Sequence, residues 1–455
     1  MSRRAQPGYA RPVAERPGLC NTGPCSGCGE GPLTALRPSP PGPGEPCRIL
    51  IYSHDTFGLG HLRRSRTLAN AVARALGARV VVVSGSPVAD RFAFAPGVSA
   101  VRIPAVTKRV DGGYASLEPG RALSETVAAR AALIARTAES VRPHLVIVDK
   151  EPTGFQGEIL GMLERAAAEG ARLVLGLRDV LDDPVLLAPE WARKGAGEAL
   201  ARLYHEVWVY GVARIHRPLE GLDLDPGIAD RLIYTGYLRR DLPPPSPGRA
   251  WPPLAEAPFL LVTPGGGGDG AALIDWVVAA YEADPGIPLP ALIAFGPFLD
   301  VETRTAFLAR IARLPGRLSA ITFDSEIERL MQRAAGIVAM GGYNTFCEIL
   351  SFDKRAVLVP RTEPRREQEI RARAAEALGL VRVLSEAGGR APERMAAALR
   401  ALPVQPEPSR MVVPGLLDGL DAIVARVRAL VGPSGARLPD AVAEAVPEPL
   451  PEAVS

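Results

Sequence analysis

Residues 48–76 read RILIYSHDTFGLGHLRRSRTLANAVARAL and pass from an apolar run through glycines into a helical pattern. The β-branched residues at the start predict a strand, and the apolar residues after about Leu62 recur at helical spacing. Gly58 and Gly60 allow a tight turn between the two, and the helix start offers free N–H groups to an anion or a polar sugar. His61 at that start is a candidate general base, because imidazole titrates near neutral pH. The alternative is a turn histidine that caps the helix or faces solvent.

The same succession of apolar run and helical pattern recurs along the chain. The apolar runs are continuous, which is typical of parallel strands that helices cover on both faces. They are CRILIYS, ARVVVVSG, LVIVDK, RLVLGLR and EVWVYG in the first half, and PFLLVTPG, ALIAFGP, LSAITF, AGIVAM and RAVLVP in the second. The sequence therefore predicts an α/β fold with two Rossmann-like, doubly wound parallel sheets.

A proline-rich stretch, DLPPPSPGRAWPPLAEA, separates the two sets of runs. Its prolines disfavour both helix and central strand, so it predicts a linker. The predicted segments are a disordered proline- and glycine-rich 1–46, an N-terminal Rossmann-like domain over 47–240, the linker over 241–257, a C-terminal Rossmann-like domain over 258–412, a C-terminal helix over 413–432 and a disordered tail over 433–455.

Charge and hydropathy exclude several classes of partner. The chain has 53 Lys and Arg against 50 Asp and Glu, a net charge of +3, which is too balanced for a nucleic-acid footprint. No apolar run approaches the roughly 20 residues of a membrane-spanning helix, and no apolar signal core follows Met1. We therefore expect a cytoplasmic protein with no nucleic-acid partner.

Four cysteines lie near the N-terminus. Cys20, Cys25 and Cys28, with Cys47, have a spacing that zinc or an iron–sulfur cluster could use. The flanking sequence offers little to support a metal fold, so we predict no metal site and no cofactor. Cys347 lies in a helical pattern and is predicted to be a core residue.

A glycine run marks the first strand of the second half, in LLVTPGGGGDGAALIDW. Gly265, Gly266, Gly267, Gly268 and Asp269 follow a strand and open a helix. Such a run loses much backbone entropy unless a ligand or tight turn requires it, so it predicts a diphosphate cradle. No Lys-Ser/Thr follows, which excludes an ATPase P-loop. A purely structural glycine turn is the alternative.

A second glycine-containing motif is MGGYNTFCEILSF, where Gly342 ends a turn before a helix. Thr345 and Glu348 lie three residues apart on one helix face. A hydroxyl at a helix N-terminus suits a phosphate oxygen, and a carboxylate one turn further suits the vicinal hydroxyls of ribose. The alternative is ordinary capping, with Asn344 as N-cap and Glu348 in solvent.

These motifs resemble glycosyltransferase family 28, the family of the peptidoglycan enzyme that transfers N-acetylglucosamine to make the lipid-linked disaccharide. The second half resembles the family's C-terminal domain, and the two-domain layout resembles the GT-B fold. The resemblance rests on Gly58, Gly60 and His61 in the first half and on Gly265 to Gly270, Thr322, Phe323, Gly342, Thr345, Glu348 and Gln368 in the second. Two departures are Leu59, where the family has a glycine, and Arg371 or Ala372, where it often has asparagine.

The resemblance implies metal-independent transfer of a hexose-type sugar from a UDP-sugar, with inversion, in the cleft between the domains. The domain over 47–240 would then be the acceptor domain, and the domain over 258–412 would be the nucleotide-sugar donor domain. Phe323 would then contact uracil, and Gln368 would lie near the donor sugar. His61 is the first candidate for the base, with Asp149 as a second candidate or as the group that orients His61.

The acceptor stays unknown, with a lipid-linked or polysaccharide precursor among the candidates. Arg63, Arg64 and Arg66 could meet an anionic acceptor or the headgroups of a membrane surface, or be ordinary solvated charges. Two other functions stay open. A nucleotide-sugar 2-epimerase would convert a UDP-sugar without an acceptor, and a noncatalytic module would bind UDP without transfer or hydrolysis.

Overall fold

A computed structural model describes residues 45–55, 60–89, 92–109, 113–243, 248, 250–265 and 269–432 of the chain. Several predictions fall outside these residues. They are the disorder of residues 1–44 and 433–455, the candidate metal ligands Cys20, Cys25 and Cys28, and the roles of Gly58, Gly266, Gly267 and Gly268.

The N-terminal half folds around a parallel sheet of seven strands. These are β1 (Arg48–Ser53), β2 (Arg79–Ser84), β3 (Val98–Arg102), β6 (Leu145–Asp149), β7 (Arg172–Arg178), β8 (Glu206–Tyr210) and β9 (Leu232–Tyr234), and an antiparallel pair is formed by β4 (Val106–Lys108) and β5 (Tyr114–Ser116). The order in the sheet is β3-β2-β1-β6-β7-β8-β9. The helices of this half are α1 (Gly60–Leu76), α2 (Leu123–Val141), α3 (Leu160–Ala168), α4 (Pro184–Arg193) and α5 (Ala196–Leu203).

The C-terminal half folds around a parallel sheet of six strands. These are β10 (Leu260–Thr263), β11 (Ala291–Ala294), β12 (Leu318–Ile321), β13 (Gly336–Ala339), β14 (Ala356–Leu358) and β15 (Arg382–Val383), in the order β12-β11-β10-β13-β14-β15. The helices are α6 (Ala271–Ala283), α7 (Val301–Ile311), α8 (Ile327–Arg333), α9 (Tyr343–Ser351), α10 (Glu367–Ala377) and α11 (Pro392–Ala401), and the described chain closes with α12 (Gly419–Val431).

Buried apolar residues explain why these segments form. Strand β10, LLVT, is buried at every position, as expected of a central strand covered by helices on both faces. Helix α1 buries Leu62, Leu68 and Val72 at helical spacing and thereby packs against the sheet. All ten apolar runs of the sequence contain strands, so the predicted doubly wound fold is confirmed. The domain limits stay predictions.

Strand order reverses at one point in each sheet. The reversal lies between β1 and β6 in the first sheet and between β10 and β13 in the second. Loops that leave the carboxyl ends of such neighbouring strands diverge and leave a crevice for a ligand. His61, Asp149 and the two glycine-rich motifs of the second half all lie at the carboxyl ends of these four strands.

Two helix boundaries differ from the sequence prediction. Helix α1 begins at Gly60 rather than near Leu62, and α12 begins at Gly419 rather than at residue 413. The residues before α12 bond elsewhere, because the Leu416 carbonyl accepts a hydrogen bond from the Tyr237 N–H of the first half. Helix α12 then packs on α1, so the last helix joins the N-terminal core. Within the described ranges, no helix is long and apolar enough to cross a membrane.

Candidate active site

His61 and Asp149 meet at the point where the first sheet reverses its strand order. The His61 Nδ1 lies 2.5 Å from the Asp149 Oδ2. Arg64, one turn along α1, donates from Nε and Nη2 to the Asp149 Oδ1, at 2.8 and 2.6 Å. The fold therefore brings together two side chains 88 residues apart that the sequence indicated as rival candidates for the base.

The contact determines which histidine nitrogen can accept a proton. A nitrogen and a carboxylate oxygen 2.5 Å apart need a proton between them, so Nδ1 of His61 is the protonated nitrogen. The Arg64 Nη2 also lies 3.0 Å from Nδ1, but it donates to the shorter contact with Asp149. Nε2 is then the lone-pair nitrogen, and Asp149 is placed to stabilise the imidazolium that forms when Nε2 takes a proton. The His61 side chain keeps 16% of its surface exposed, so it is not sealed from a substrate.

Burial and charge set the pKa values of this pair. Burial opposes ionisation of Asp149, but the charges of Arg64 and His61 outweigh it and hold the pKa of that carboxyl well below its usual range. Burial lowers the pKa of His61, although Asp149 acts against it. At neutral pH the arrangement is a carboxylate beside a neutral imidazole, which is the form that a general base requires.

Sequence reasoning missed two neighbours of His61. Arg64 was expected among exposed charges, but it is only 3% exposed, because its guanidinium is committed to Asp149. His54 is buried, and its ring packs edge-on against His61 with centroids 5.7 Å apart. Burial holds the pKa of His54 well below its usual range. The sequence signal for His54 was its place at the end of a strand.

The glycine motifs of the second half adopt backbone shapes that need glycine. Gly265 has φ +101° and Gly341 has φ +80°, in the region that other residues rarely adopt. Asp269, after the part of the glycine loop that is not described, pairs with Arg361 at 2.5 Å. Gly342 is the N-cap of α9, so the alternative that made Asn344 the N-cap is wrong.

Glu348 is buried rather than solvated. Its side chain is 2% exposed, and its Oε1 accepts a 2.5 Å hydrogen bond from Nη2 of Arg63 on α1. The same Nη2 lies 2.6 Å from Oε1 of Glu328. The alternative that placed Glu348 in solvent is therefore wrong. Burial raises the pKa of Glu348 above its usual value, and Arg63 acts against that rise.

Asn344 joins the α9 motif to the start of α1. Its side-chain oxygen accepts from Nη2 of Arg240 at 2.6 Å, and its side-chain nitrogen donates to the Gly60 carbonyl at 3.2 Å. Thr345, the next residue, is partly buried on α9. The structure thus brings the α9 motif against the helix that carries His61.

The two remaining predicted donor residues lie further along the second half. Phe323 follows β12 and is 57% exposed. Gln368 is buried at the start of α10, and its Oε1 accepts from the Arg361 N–H at 3.0 Å. No described contact joins either of them to His61 or Asp149.

The described residues hold no group of three or more His, Cys, Asp or Glu side chains arranged to bind a metal ion. Cys47 is partly buried, and burial raises the pKa of its thiol to about 11. Cys347 is fully buried, which confirms the prediction of a core residue.

Comparison with known proteins identifies the second half. Residues 261–410 match the family model of the glycosyltransferase family 28 C-terminal domain. No curated protein sequence matches the chain.

Solved structures resemble nearly the whole fold. A UDP-glucosyltransferase from Polygonum tinctorium matches with a TM-score of 0.58 and 14% identity, over 86% of this chain and 99% of that one. The calicheamicin glycosyltransferase CalG4 matches with a TM-score of 0.55 and 19% identity, over 85% and 98%. MurG of Acinetobacter baumannii matches with a TM-score of 0.52 and 14% identity, over 84% and 100%. At these identities the likeness establishes the fold.

The two parallel sheets and the similar solved structures show that the chain has a GT-B fold. With this fold and the family match of its second half, the chain is a glycosyltransferase. Its C-terminal domain resembles that of glycosyltransferase family 28, as the motifs around Gly342 and Glu348 predicted.

Proposed function

We propose that the chain transfers a hexose-type sugar from a UDP-sugar to an acceptor hydroxyl, with inversion and without a metal ion. The observation that carries the proposal is the 2.5 Å contact between His61 and Asp149. His61 lies on α1, and Asn344 of the α9 motif donates a hydrogen bond to the Gly60 carbonyl at the start of that helix. One structural neighbour is named as a UDP-glucosyltransferase, which favours UDP as the nucleotide.

The chemistry needs a base on one side of the sugar and stabilisation of the leaving group on the other. The Nε2 of His61 takes the proton of the acceptor hydroxyl as its oxygen attacks the anomeric carbon, and Asp149 stabilises the imidazolium. The bond from that carbon to the diphosphate breaks in the same displacement, which inverts the configuration. Free N–H groups at the start of α9 stabilise the leaving diphosphate.

Donor residues are assigned by the same reasoning. Glu348 would accept hydrogen bonds from the ribose hydroxyls, and Thr345 would contact a phosphate. Phe323 would lie against uracil, and Gln368 would lie near the sugar. The acceptor is a lipid-linked or polysaccharide precursor, reached by a cytoplasmic enzyme through peripheral membrane contact. The motif resemblance to family 28 supports this part of the proposal.

A thermal-shift screen of nucleotides and nucleotide sugars tests the donor. A ligand at 100 times its dissociation constant stabilises a protein by about 2.7 kcal/mol, so UDP should raise the Tm more than ADP, GDP or dTDP does. Slow hydrolysis of one UDP-sugar in the presence of EDTA should follow. A stronger response to another nucleotide would refute UDP, and loss of turnover in EDTA would refute metal independence. Conversion to an epimeric UDP-sugar would instead favour the epimerase.

A further inference from the structure

Arg178 is a cation beside the crevice that has no ion-pair partner among the described residues. It ends β7, two residues after Gly176, which is the register partner of Asp149 in the sheet. Its Nε is shielded from solvent and has no hydrogen-bond partner. Since alternate residues of a strand share a face, Arg178 lies on the same face of the sheet as Asp149, at the carboxyl edge that carries the candidate site.

The carboxylates around Arg178 already have other cationic partners. Each one forms an ion pair with a different arginine. These pairs are Asp149 with Arg64 at 2.6 Å, Asp179 with Arg371 at 2.6 Å, and Glu367 with Arg361 at 2.9 Å.

Three further cations and three carboxylates lie nearby and pair with one another. Each of these carboxylates thus has a cation other than Arg178 as its ion-pair partner. The pairs are Lys150 with Glu151 at 3.2 Å, Lys194 with Glu151 at 2.9 Å and with Glu190 at 2.6 Å, and Arg365 with Asp182 at 3.3 Å and with Glu190 at 3.0 Å.

The charges around Arg178 act on its pKa in both directions. Burial lowers the pKa of Arg178 to about 10, and the charges of Arg64 and Arg371 act in the same direction while Glu367 opposes them. Arg178 in turn acts with burial to lower the pKa of Lys150. The side chain of Arg178 is partly buried and its Nε is shielded without a partner, so hydrogen bonds to an incoming anion would satisfy it.

We infer that Arg178 forms an oxyanion subsite beside His61 and Asp149, which binds a phosphate or carboxylate group of a substrate. A guanidinium matches such a group with two parallel hydrogen bonds. The anion comes from the donor diphosphate, from a carboxylate on the donor sugar or from the acceptor. The inference rests on the proposed function for its place in the reaction, but the anion site itself can be measured separately.

Titration with inorganic phosphate, followed by the Tm and by calorimetry, tests the site. We expect Arg178→Gln to weaken phosphate binding by roughly 10- to 100-fold, the range for loss of a hydrogen bond to a charged group, and Arg178→Lys to weaken it less. Arg172→Gln is the matched control and should leave phosphate binding unchanged, because Arg172 begins the same strand at its other end and its Nε also lacks a partner. The Tm without phosphate shows whether each variant folds, and Arg178→Lys carries the comparison if the glutamine variant does not.

Saturating UDP identifies the source of the anion. Loss of phosphate binding when UDP is present assigns the subsite to the donor diphosphate. Retained phosphate binding assigns the subsite to the acceptor or to the donor sugar. The sugar is the source if the wild type prefers UDP-glucuronate to UDP-glucose and Arg178→Gln removes that preference. Equal phosphate binding by wild type and both glutamine variants, or none by wild type, would overturn the inference. Failure of UDP to bind while phosphate binds through Arg178 would instead reject the proposed donor.

Discussion

The division of work between His61 and Asp149 follows from the surroundings of each side chain. Asp149 is held as a carboxylate by Arg64 and by His61 itself, so it is a weak base at neutral pH. His61 is held neutral by burial and keeps part of its surface exposed. The better base is thus the imidazole, and the carboxylate orients it.

We expect His61→Ala to lower turnover by a factor of about 10² to 10⁴ with UDP affinity nearly unchanged. Because burial lowers the pKa of His61, wild-type turnover should fall only below the usual histidine pKa of about 6.5. Asp149→Asn should lower turnover without changing UDP affinity. Steady-state kinetics over pH 5 to 8, with calorimetry for UDP, check this. Full turnover of His61→Ala with an unchanged acid limb would contradict it.

A second prediction concerns Arg63, which forms an ion pair with Glu348. The proposed function needs the Glu348 carboxylate to accept hydrogen bonds from the donor ribose. Arg63→Ala removes this competitor and should raise UDP affinity by roughly fivefold, the effect of about 1 kcal/mol for a partly exposed ion pair. Glu348→Ala should instead weaken UDP binding by roughly 1.5 to 3 kcal/mol. Calorimetry measures both. Arg66→Ala is the control on the same helix, since Arg66 bonds the Ala93 carbonyl. A loss of UDP affinity in Arg63→Ala would show that Arg63 contacts the nucleotide.

The helices and strands could be predicted wherever apolar residues run continuously. The sequence pattern missed β3, whose residues are mostly exposed, and β9 and β15, which have three and two residues. Periodicity cannot detect segments that short or that polar. All three strands lie at sheet edges, where burial demands less of the sequence.

The candidate site could be predicted only in part, for a similar reason. Glycine runs and a histidine at a helix start are local signals, so the loops around Gly60 and Gly342 could be found. The pair of Arg63 and Glu348 joins residues 285 apart in the chain. Such contacts depend on how the two sheets are brought together, which no local pattern encodes.

The buried ion pair between α10 and the loop after β7 supports a prediction about stability. Arg371 and Asp179 are both fully buried, and Tyr237 also donates to Asp179 at 2.7 Å. Asp179→Ala leaves a buried guanidinium without its carboxylate and should lower the free energy of unfolding by roughly 3 to 5 kcal/mol. Urea unfolding measures this. The double variant with Arg371→Met should recover part of the loss, and equal losses in the single and double variants would show that the pairing is not the cause.

The two halves of the described chain share one apolar core. One continuous cluster contains Ile49 and Leu68 of the first half, Ile337 and Phe346 of the second, and Ile423 of α12. Because the chain returns to α1 through α12, unfolding of either half exposes part of this cluster. We therefore expect the described part of the chain to unfold with few separate steps, and acid to act on it as a unit.

The pH dependence of stability is the prediction that follows from this shared core. Burial lowers the pKa of all five histidines, which are His54, His61, His144, His205 and His216. As the pH falls through about 6.5, the unfolded chain binds protons that the folded chain does not, so the free energy of unfolding should fall between pH 7 and 5. Each proton of difference contributes a slope of about 1.4 kcal/mol per pH unit.

A second loss should follow at lower pH, because the pKa values of Asp149 and Glu151 lie below their usual range. These carboxylates stabilise the fold above the unfolded pKa near 4, and their contribution is lost as the pH falls further. Urea unfolding at pH 7.5, 6.5, 5.5, 4 and 3 measures both stages. His54→Gln should flatten the first stage, since it removes one of the protons taken up on unfolding. Stability that rises on acidification from pH 7 to 5 would contradict the burial of neutral histidines.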